Sequence, residues 1–351
     1  MQERPEGMSR TSLQLGLAGL GRFGRLHADV LGQLPDVSLA AIADPDDEAR
    51  QAVLAGHPGA RAYADLEALL ADPDLEAIVL ATPETLHHRQ ASAALEAGLH
   101  VFVEKPMAAT AAEAEDLRTL AERRGRRLQV GLVLRYEASH QLLHRQIAEG
   151  SFGELVSIRV KRNCSRAWAA SYLERVHTVY ETLIHDLDLM LWYTGSAPVA
   201  VTAVDRNLMG HAHPDASFAL IRFASGTVGL AESSWFVPDQ ALTNVSTPEW
   251  RGTIDAELAI VGTERTAQLR LLDAPLQIWS DRQHEALEMG LWPLLEGGIG
   301  GALREELADF CRCVRRGRSS EVASLPNAVT GMRLAEAIVA SARSGATIAM
   351  G

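Results

Sequence analysis

The chain has 351 residues, 47% of them hydrophobic and 22% charged. That length exceeds one comfortable core, so two domains of an ordinary soluble protein are expected. A formal net charge of −12 argues against a nucleic-acid partner. The two basic clusters, Arg123-Arg124-Gly125-Arg126-Arg127 and Arg315-Arg316-Gly317-Arg318, fall at ends of predicted helices, where cations favour the helix dipole.

Residues 1–12 are polar, with no apolar stretch of a signal peptide, and read as a disordered tail. No apolar run reaches membrane-spanning length, and the 3 cysteines form neither a disulfide framework nor a zinc-ligand spacing, so the expected setting is cytoplasmic. Leu13 to Ala18 is a short apolar strand, followed at once by Gly19-Leu20-Gly21-Arg22-Phe23-Gly24 and a helix from Phe23 to Leu34. A G-x-G-x-x-G run between strand and helix suits a dinucleotide: the first glycine turns, the second admits a pyrophosphate, the third packs helix on strand. Arg22 and Phe23 open the helix, whose free N–H groups would face the phosphates. A second strand, Val37 to Ala43, ends in Asp44, twenty residues after Gly24. A carboxylate there accepts both ribose hydroxyls and repels a 2′-phosphate. With Pro45 next and no arginine adjacent, NAD is favoured over NADP. Asp44 also suits a cap for the helix starting near Asp46, and both roles can hold.

Strand and helix then alternate, predicting a parallel, doubly wound sheet over 13–130. The strand Ala77 to Ala81 is closed by Thr82-Pro83, which with His87 would line the nicotinamide side of the crevice; a helix-surface position is the simpler role for His87. The next strand, His100 to Val103, stops at Glu104-Lys105-Pro106, and the carboxyl end of such a strand is where open α/β sheets hold their chemistry. Of 33 basic residues only Lys105 and Lys161 are lysine. Lysine supplies an amine of adjustable pKa that guanidinium does not, although a strand-end ion pair explains the charges equally well.

After Gly131 the pattern changes to a second, α+β domain over 131–351. A helix from Tyr136 to Glu149, a strand from Leu155 to Arg162, a loop with Cys164, Trp168 and Tyr172, and a helix from Thr178 to Tyr193 precede a run of strands. These are Val199 to Asn207, Ala216 to Phe223, Thr227 to Phe236, Thr253 to Val261, Thr266 to Leu272 and Leu276 to Ser280. Short connections make this a large, mostly antiparallel open sheet. Helices near 301–316 and 326–344 close the chain, leaving one sheet face free to pair with another subunit as a homodimer or homotetramer.

Within the helix around residue 185, Glu181 and His185 are four apart and Asp188 three further, so they share a face, with His177 one turn earlier. Leu183, Ile184, Leu187 and Leu191 form a separate stripe for the core. Three readings compete: helix-surface pairs, a metal site lacking further ligands, and acid–base work by an imidazole held by a carboxylate.

Together these residues resemble the glucose–fructose oxidoreductase, inositol dehydrogenase and rhizopine-catabolism family. The likeness rests on Gly19 to Gly24, Ala81-Thr82-Pro83 with His87, Ala94 to Gly98 with His100-Val101, and Glu104-Lys105-Pro106, and it covers nearly the whole chain. It implies NAD-dependent oxidation of a secondary hydroxyl of a cyclic polyol or sugar, closest in pattern to inositol dehydrogenases; no metal is expected, because the sequence offers no further ligand set. It further implies that Glu181-Thr182-Leu183-Ile184-His185-Asp186-Leu187-Asp188 is a substrate helix, in which a histidine and a carboxylate complete a triad with Lys105. The family's aspartate is here Glu181. The resemblance also implies a substrate or domain-interface role for Arg135 and Tyr136, and a cis Lys105-Pro106 bond. On this reading Glu181 orients and charges the His185 imidazole, and either Lys105 or His185 is the formal base. The alternatives are a sugar-nucleotide 3-dehydrogenase, an NAD-dependent glycoside-processing enzyme and, in a different class, a non-catalytic NAD-responsive regulator.

Overall fold

The computed structural model describes residues 12–246, 251–273, 276–279, 284–287 and 289–351. The predicted tail, Ser12 apart, lies outside the described residues, as does Ser280 at the end of the last predicted strand.

In chain order the first half runs β1 (Leu13–Ala18), α1 (Arg22–Gln33), β2 (Val37–Ala43), α2 (Asp47–Gly56), β3 (Arg61–Tyr63), α3 (Leu66–Leu70), β4 (Ala77–Leu80), α4 (Glu84–Glu96), β5 (His100–Glu104), α5 (Ala111–Arg124) and β6 (Leu128–Gly131). The strands order as β3-β2-β1-β4-β5-β6 and every neighbouring pair is parallel. Because helices cover both faces, β4 is buried at all four positions and reads as an unbroken apolar run. The order reverses at β1 and β4, and a crevice opens outside their carboxyl ends.

The second half begins with a 3-10 turn (Val133–Tyr136) and α6 (Ala138–Ala148), two elements where the sequence predicts one helix. There follow β7 (Leu155–Ser165), α7 (Ala169–Leu173), a π turn (Val179–Leu183), α8 (Ile184–Thr194), β8 (Pro198–Arg206), β9 (Ala216–Phe223), β10 (Val228–Val237), β11 (Val245–Ser246), β12 (Arg251–Gly252), β13 (Ile254–Gly262) and β14 (Thr266–Arg270). Short ladders β15 (Leu276–Trp279), β16 (His284–Leu287), β17 (Leu294–Leu295) and β18 (Gly298–Ile299) precede α9 (Gly301–Arg316), α10 (Leu325–Ser344) and β19 (Ile348–Ala349). The large sheet orders as β14-β13-β7-β10-β9-β8-β19. It is antiparallel except where β7 meets β10, and β15 pairs with β16 outside it.

Helices α8 and α10 pack on one face of this sheet. The face carrying Val204, Phe218, Leu220 and Leu230 is open, each residue between 42% and 59% exposed. One buried apolar cluster runs continuously through both halves. The closing helices return to the first sheet: Phe310 of α9 packs edge-on to Phe102 of β5, and Glu336 of α10 accepts the Ala111 N–H at 2.7 Å. Among the described residues no helix is long and apolar enough to cross a membrane.

Candidate active site

The glycine-rich turn is built by space. Gly19 has φ of +86°, and a Cβ there would sit 2.5 Å from the Ala81 carbonyl oxygen. A Cβ on Gly24 would collide with the Gly19 carbonyl, so the third glycine lets α1 close on β1. At Gly21 nothing lies within 4 Å of an added Cβ, and Gly21 caps α1 without a side-chain bond. The space at Gly21 lets an anion approach the start of α1. Asp44 Oδ2 accepts the Leu20 N–H at 2.7 Å and Oδ1 accepts the Asp46 N–H at 2.9 Å, leaving each oxygen a second acceptor direction. The cap of α2 is Asp46, which accepts from Glu48, not Asp44. These residues fit NAD.

A cleft of about 660 Å³ follows the carboxyl ends of the first sheet. Gly19, Gly21, Arg22, Phe23, Asp44, Thr82, Pro83, Glu104 and Lys105 line one side, and Arg162, Cys164, Trp168, Tyr172, Glu181, His185 and Trp235 line the other. Gly24 stands behind the turn.

Glu104 is held between the His27 ring at 2.8 Å and the Lys105 N–H at 3.1 Å, and the absence of a side chain at Gly131 makes room for its carboxylate. The Lys105-Pro106 bond is cis. Lys105 Nζ donates to the Glu181 carboxylate at 3.0 Å and to the Glu181 main-chain carbonyl at 2.9 Å. Burial alone would push this ammonium down, but the Glu181 carboxylate holds it above its ordinary value, so Lys105 is charged. His185 shows the opposite: burial, then the charges of Lys105 and Arg162, hold its imidazole well below its ordinary value. His185 Nδ1 has no hydrogen-bond partner among the described residues. A charged amine and a neutral imidazole thus line the same cleft.

Several expectations are corrected. Glu181 does not pair with His185; the π turn carries its carboxylate to Lys105. His87 is buried, not on a helix surface, and does not line the cleft. Its ring nitrogens lie 2.8 Å from the carbonyl oxygens of Pro106 and Thr82, fastening the Lys105-Pro106 turn to the end of β4. Asp188 turns inward to a bidentate pair with Arg135 at 2.6 and 2.7 Å, and neither lines the cleft. Tyr136 donates to Asp309 at 2.9 Å, and His177 pairs with Asp205 at 3.0 Å, both away from the cleft. The side chains that single-helix spacing assigns to one face are drawn apart by partners on other elements.

The loop expected to carry Trp168 and Tyr172 supplies part of an aromatic wall that Trp235 of β10 completes. Tyr172 stacks on Trp235 with ring centres 5.4 Å apart, and its hydroxyl lies 3.5 Å from Arg22 of the glycine turn. Arg162 gives two nitrogens to Asp186 at 2.6 and 3.0 Å. Arg175 pairs with Glu84 of the first half. No metal-holding group of His, Cys, Asp or Glu occurs among the described residues.

Residues 13–132 match the family model described as "Oxidoreductase family, NAD-binding Rossmann fold", and residues 140–268 match the GFO/IDH/MocA C-terminal domain. An inositol 2-dehydrogenase of Leifsonia xyli subsp. xyli is 34% identical over 195 residues, covering 55% of this chain and 56% of the relative. The match thus spans little more than half the relative's length. The crystal structure of GenD2 from gentamicin A biosynthesis, in complex with NAD, superimposes with a TM-score of 0.80 at 25% identity over the full length of both chains. The myo-inositol 2-dehydrogenase of Lactobacillus plantarum superimposes with a TM-score of 0.83, covering 97% of this chain and 100% of that one; at 19% identity this is a likeness of fold.

Proposed function

Since the chain belongs to the GFO/IDH/MocA oxidoreductase family and has that family's NAD-binding Rossmann fold, we propose that it oxidises a secondary hydroxyl of a cyclic polyol or sugar. In this reading residues 13–130 hold the cofactor and residues 131–351 close the site over the substrate. The observation that carries it is that Lys105, Glu181 and His185, from two halves of the chain, line one cleft with the glycine turn and Asp44.

Gly19, Gly21 and the start of α1 hold the pyrophosphate, and Asp44 takes the ribose hydroxyls. NAD supplies the hydride acceptor. The substrate hydroxyl lies between Lys105 and His185. The neutral His185 imidazole takes its proton, and the Lys105 ammonium donates to the same oxygen as negative charge grows on it. Glu181 keeps Lys105 charged and aimed. Tyr172, backed by Trp235, offers an aromatic face to a sugar ring.

The test is NADH formation across inositols, aldoses and sugar nucleotides. NADH release supports the reading; NAD binding without turnover on any of them replaces it with an NAD-responsive regulator. The charge states give a further expectation. With His185 held below the usual imidazole value of about 6.5 and Lys105 above the usual lysine value of about 10.4, kcat/KM stays flat between those limits. It falls in acid only once His185 is protonated. An acid limb at or above the ordinary imidazole value in the pH–rate profile would remove His185 as the base.

The open face of the large sheet is proposed as the contact with a second copy of the chain. Its apolar residues Phe218, Leu220 and Leu230 are exposed together, as at surfaces that meet a protein partner. Phe218→Glu is expected to convert a dimer or tetramer to monomer in light scattering; a monomeric wild-type protein ends this proposal.

A further inference from the structure

Three buried hydroxyls meet beside the Lys105–Glu181 contact. Thr178 Oγ1 lies 2.9 Å from Ser233 Oγ and 3.1 Å from Thr182 Oγ1, and Thr182 Oγ1 lies 2.5 Å from Ser233 Oγ. Trp235 Nε1 donates to Thr178 Oγ1 at 2.9 Å, tying the cluster to the aromatic wall. Neither Ser233 nor Thr178 lines the cleft.

The cluster is built into the π turn, with Thr178 at its start and Thr182 within it. In a regular α-helix the Thr178 carbonyl would accept the N–H of Thr182. Here it accepts the Thr182 hydroxyl at 2.8 Å, and the main chain over Val179–Leu183 bonds one residue further along. Where α8 resumes ordinary spacing, the change of ladder opens a main-chain acceptor to an outside donor. Lys105 Nζ donates to the Glu181 carbonyl, in that stretch, at 2.9 Å. The π turn thus links a hydroxyl on β10 to an ammonium at the end of β5.

The geometry points to Ser233, acting with Thr178 and Thr182, as a positioning residue for Lys105: the hydroxyl cluster locks the π turn whose carbonyl and carboxylate hold the ammonium. The inference rests on Lys105 serving the reacting oxygen, but its test does not require turnover. The chain has two lysines, Lys105 and Lys161. Lysine labelled with carbon-13 at Cε therefore gives two signals, and Lys105→Arg assigns them. Ser233→Ala removes one hydroxyl and leaves the cavity nearly unchanged.

In the full chain, Ser233→Ala and Thr178→Val are expected to shift the Lys105 titration to lower pH, since the ammonium loses a well-placed acceptor. Thr178→Ser, which keeps the hydroxyl, is expected to restore it. With an active substrate, kcat falls roughly 10- to 100-fold, the scale of a small misplacement at a reacting centre, while the dissociation constant for NAD is unchanged. A Lys105 titration that stays at the wild-type position in both variants overturns the inference, whatever the substrate. If Ser233→Ala fails to fold, the Thr178→Val and Thr178→Ser pair decides. Shifted titration with wild-type kcat would keep the positioning and instead discard Lys105 as a catalytic residue.

Discussion

Lys105→Met lowers kcat by roughly 10³-fold and leaves the dissociation constant for NAD within about threefold, because it deletes a donor aimed at developing charge but nothing that holds the dinucleotide. Methionine keeps the unbranched apolar stem, so the cleft wall stays filled. Its effect is chemical: the substrate oxygen loses the one ammonium in the cleft, and Glu181 is left as an uncompensated carboxylate that repels an alkoxide. Lys105→Arg does not rescue, since the larger planar guanidinium cannot take the compact ammonium's place beside both Glu181 oxygens and still turn a third donor of the same nitrogen to the substrate. Steady-state kinetics with a confirmed substrate, alongside a fluorescence titration of NAD, separates the two effects. Turnover near that of the wild type ends Lys105's part in the chemistry; lost NAD binding instead makes it a cofactor ligand.

The second large effect is on folding. Arg135→Met is expected to cost about 3–5 kcal/mol, the usual penalty for leaving one member of a buried ion pair alone. Arg135 is 1% exposed and gives two nitrogens to Asp188 and a third to the Val322 carbonyl at 2.9 Å, with its guanidinium 5.2 Å from the Trp192 ring centre. One side chain thus joins the turn after β6, helix α8 and the segment before α10. The double variant Arg135→Met with Asp188→Leu should recover much of the loss, because neither charge is then stranded. Thermal unfolding of the two single variants and the double variant decides this. A double variant less stable than either single one would mean that the pair's contacts to Val322 and Trp192, not its charge balance, hold the three segments.

The first sheet was legible in the sequence because its signals are local. A glycine run between strand and helix, an acidic residue ending the next strand, and apolar strands closed by Thr82-Pro83 or Glu104-Lys105-Pro106 each carry their meaning within a few residues. The helix from 178 to 193 was legible as a helix and misleading as a face. Spacing put Glu181, His185 and Asp188 together, but spacing assumes an uninterrupted 3.6-residue period, and the π turn over Val179–Leu183 breaks that period. Asp186 and Asp188 were also unreadable as buried, since their partners Arg162 and Arg135 are 24 and 53 residues away. His87 misled for the same reason: its two contacts are carbonyls, which sequence does not distinguish from any others. Of the aromatic wall, Trp168 and Tyr172 could be named within a loop, but Trp235 joins them from a distant strand.

The return of α9 and α10 to the first sheet sets an order on synthesis. Phe102 meets Phe310, Arg127 donates to the Cys313 carbonyl at 3.1 Å, and the Ala111 N–H waits for Glu336. A ribosome delivers the nucleotide-binding strands first, yet their flank is sealed by contacts 186 and 225 residues further along the chain. The half that looks self-sufficient on paper is the half that must wait, half-covered, for α9 and α10.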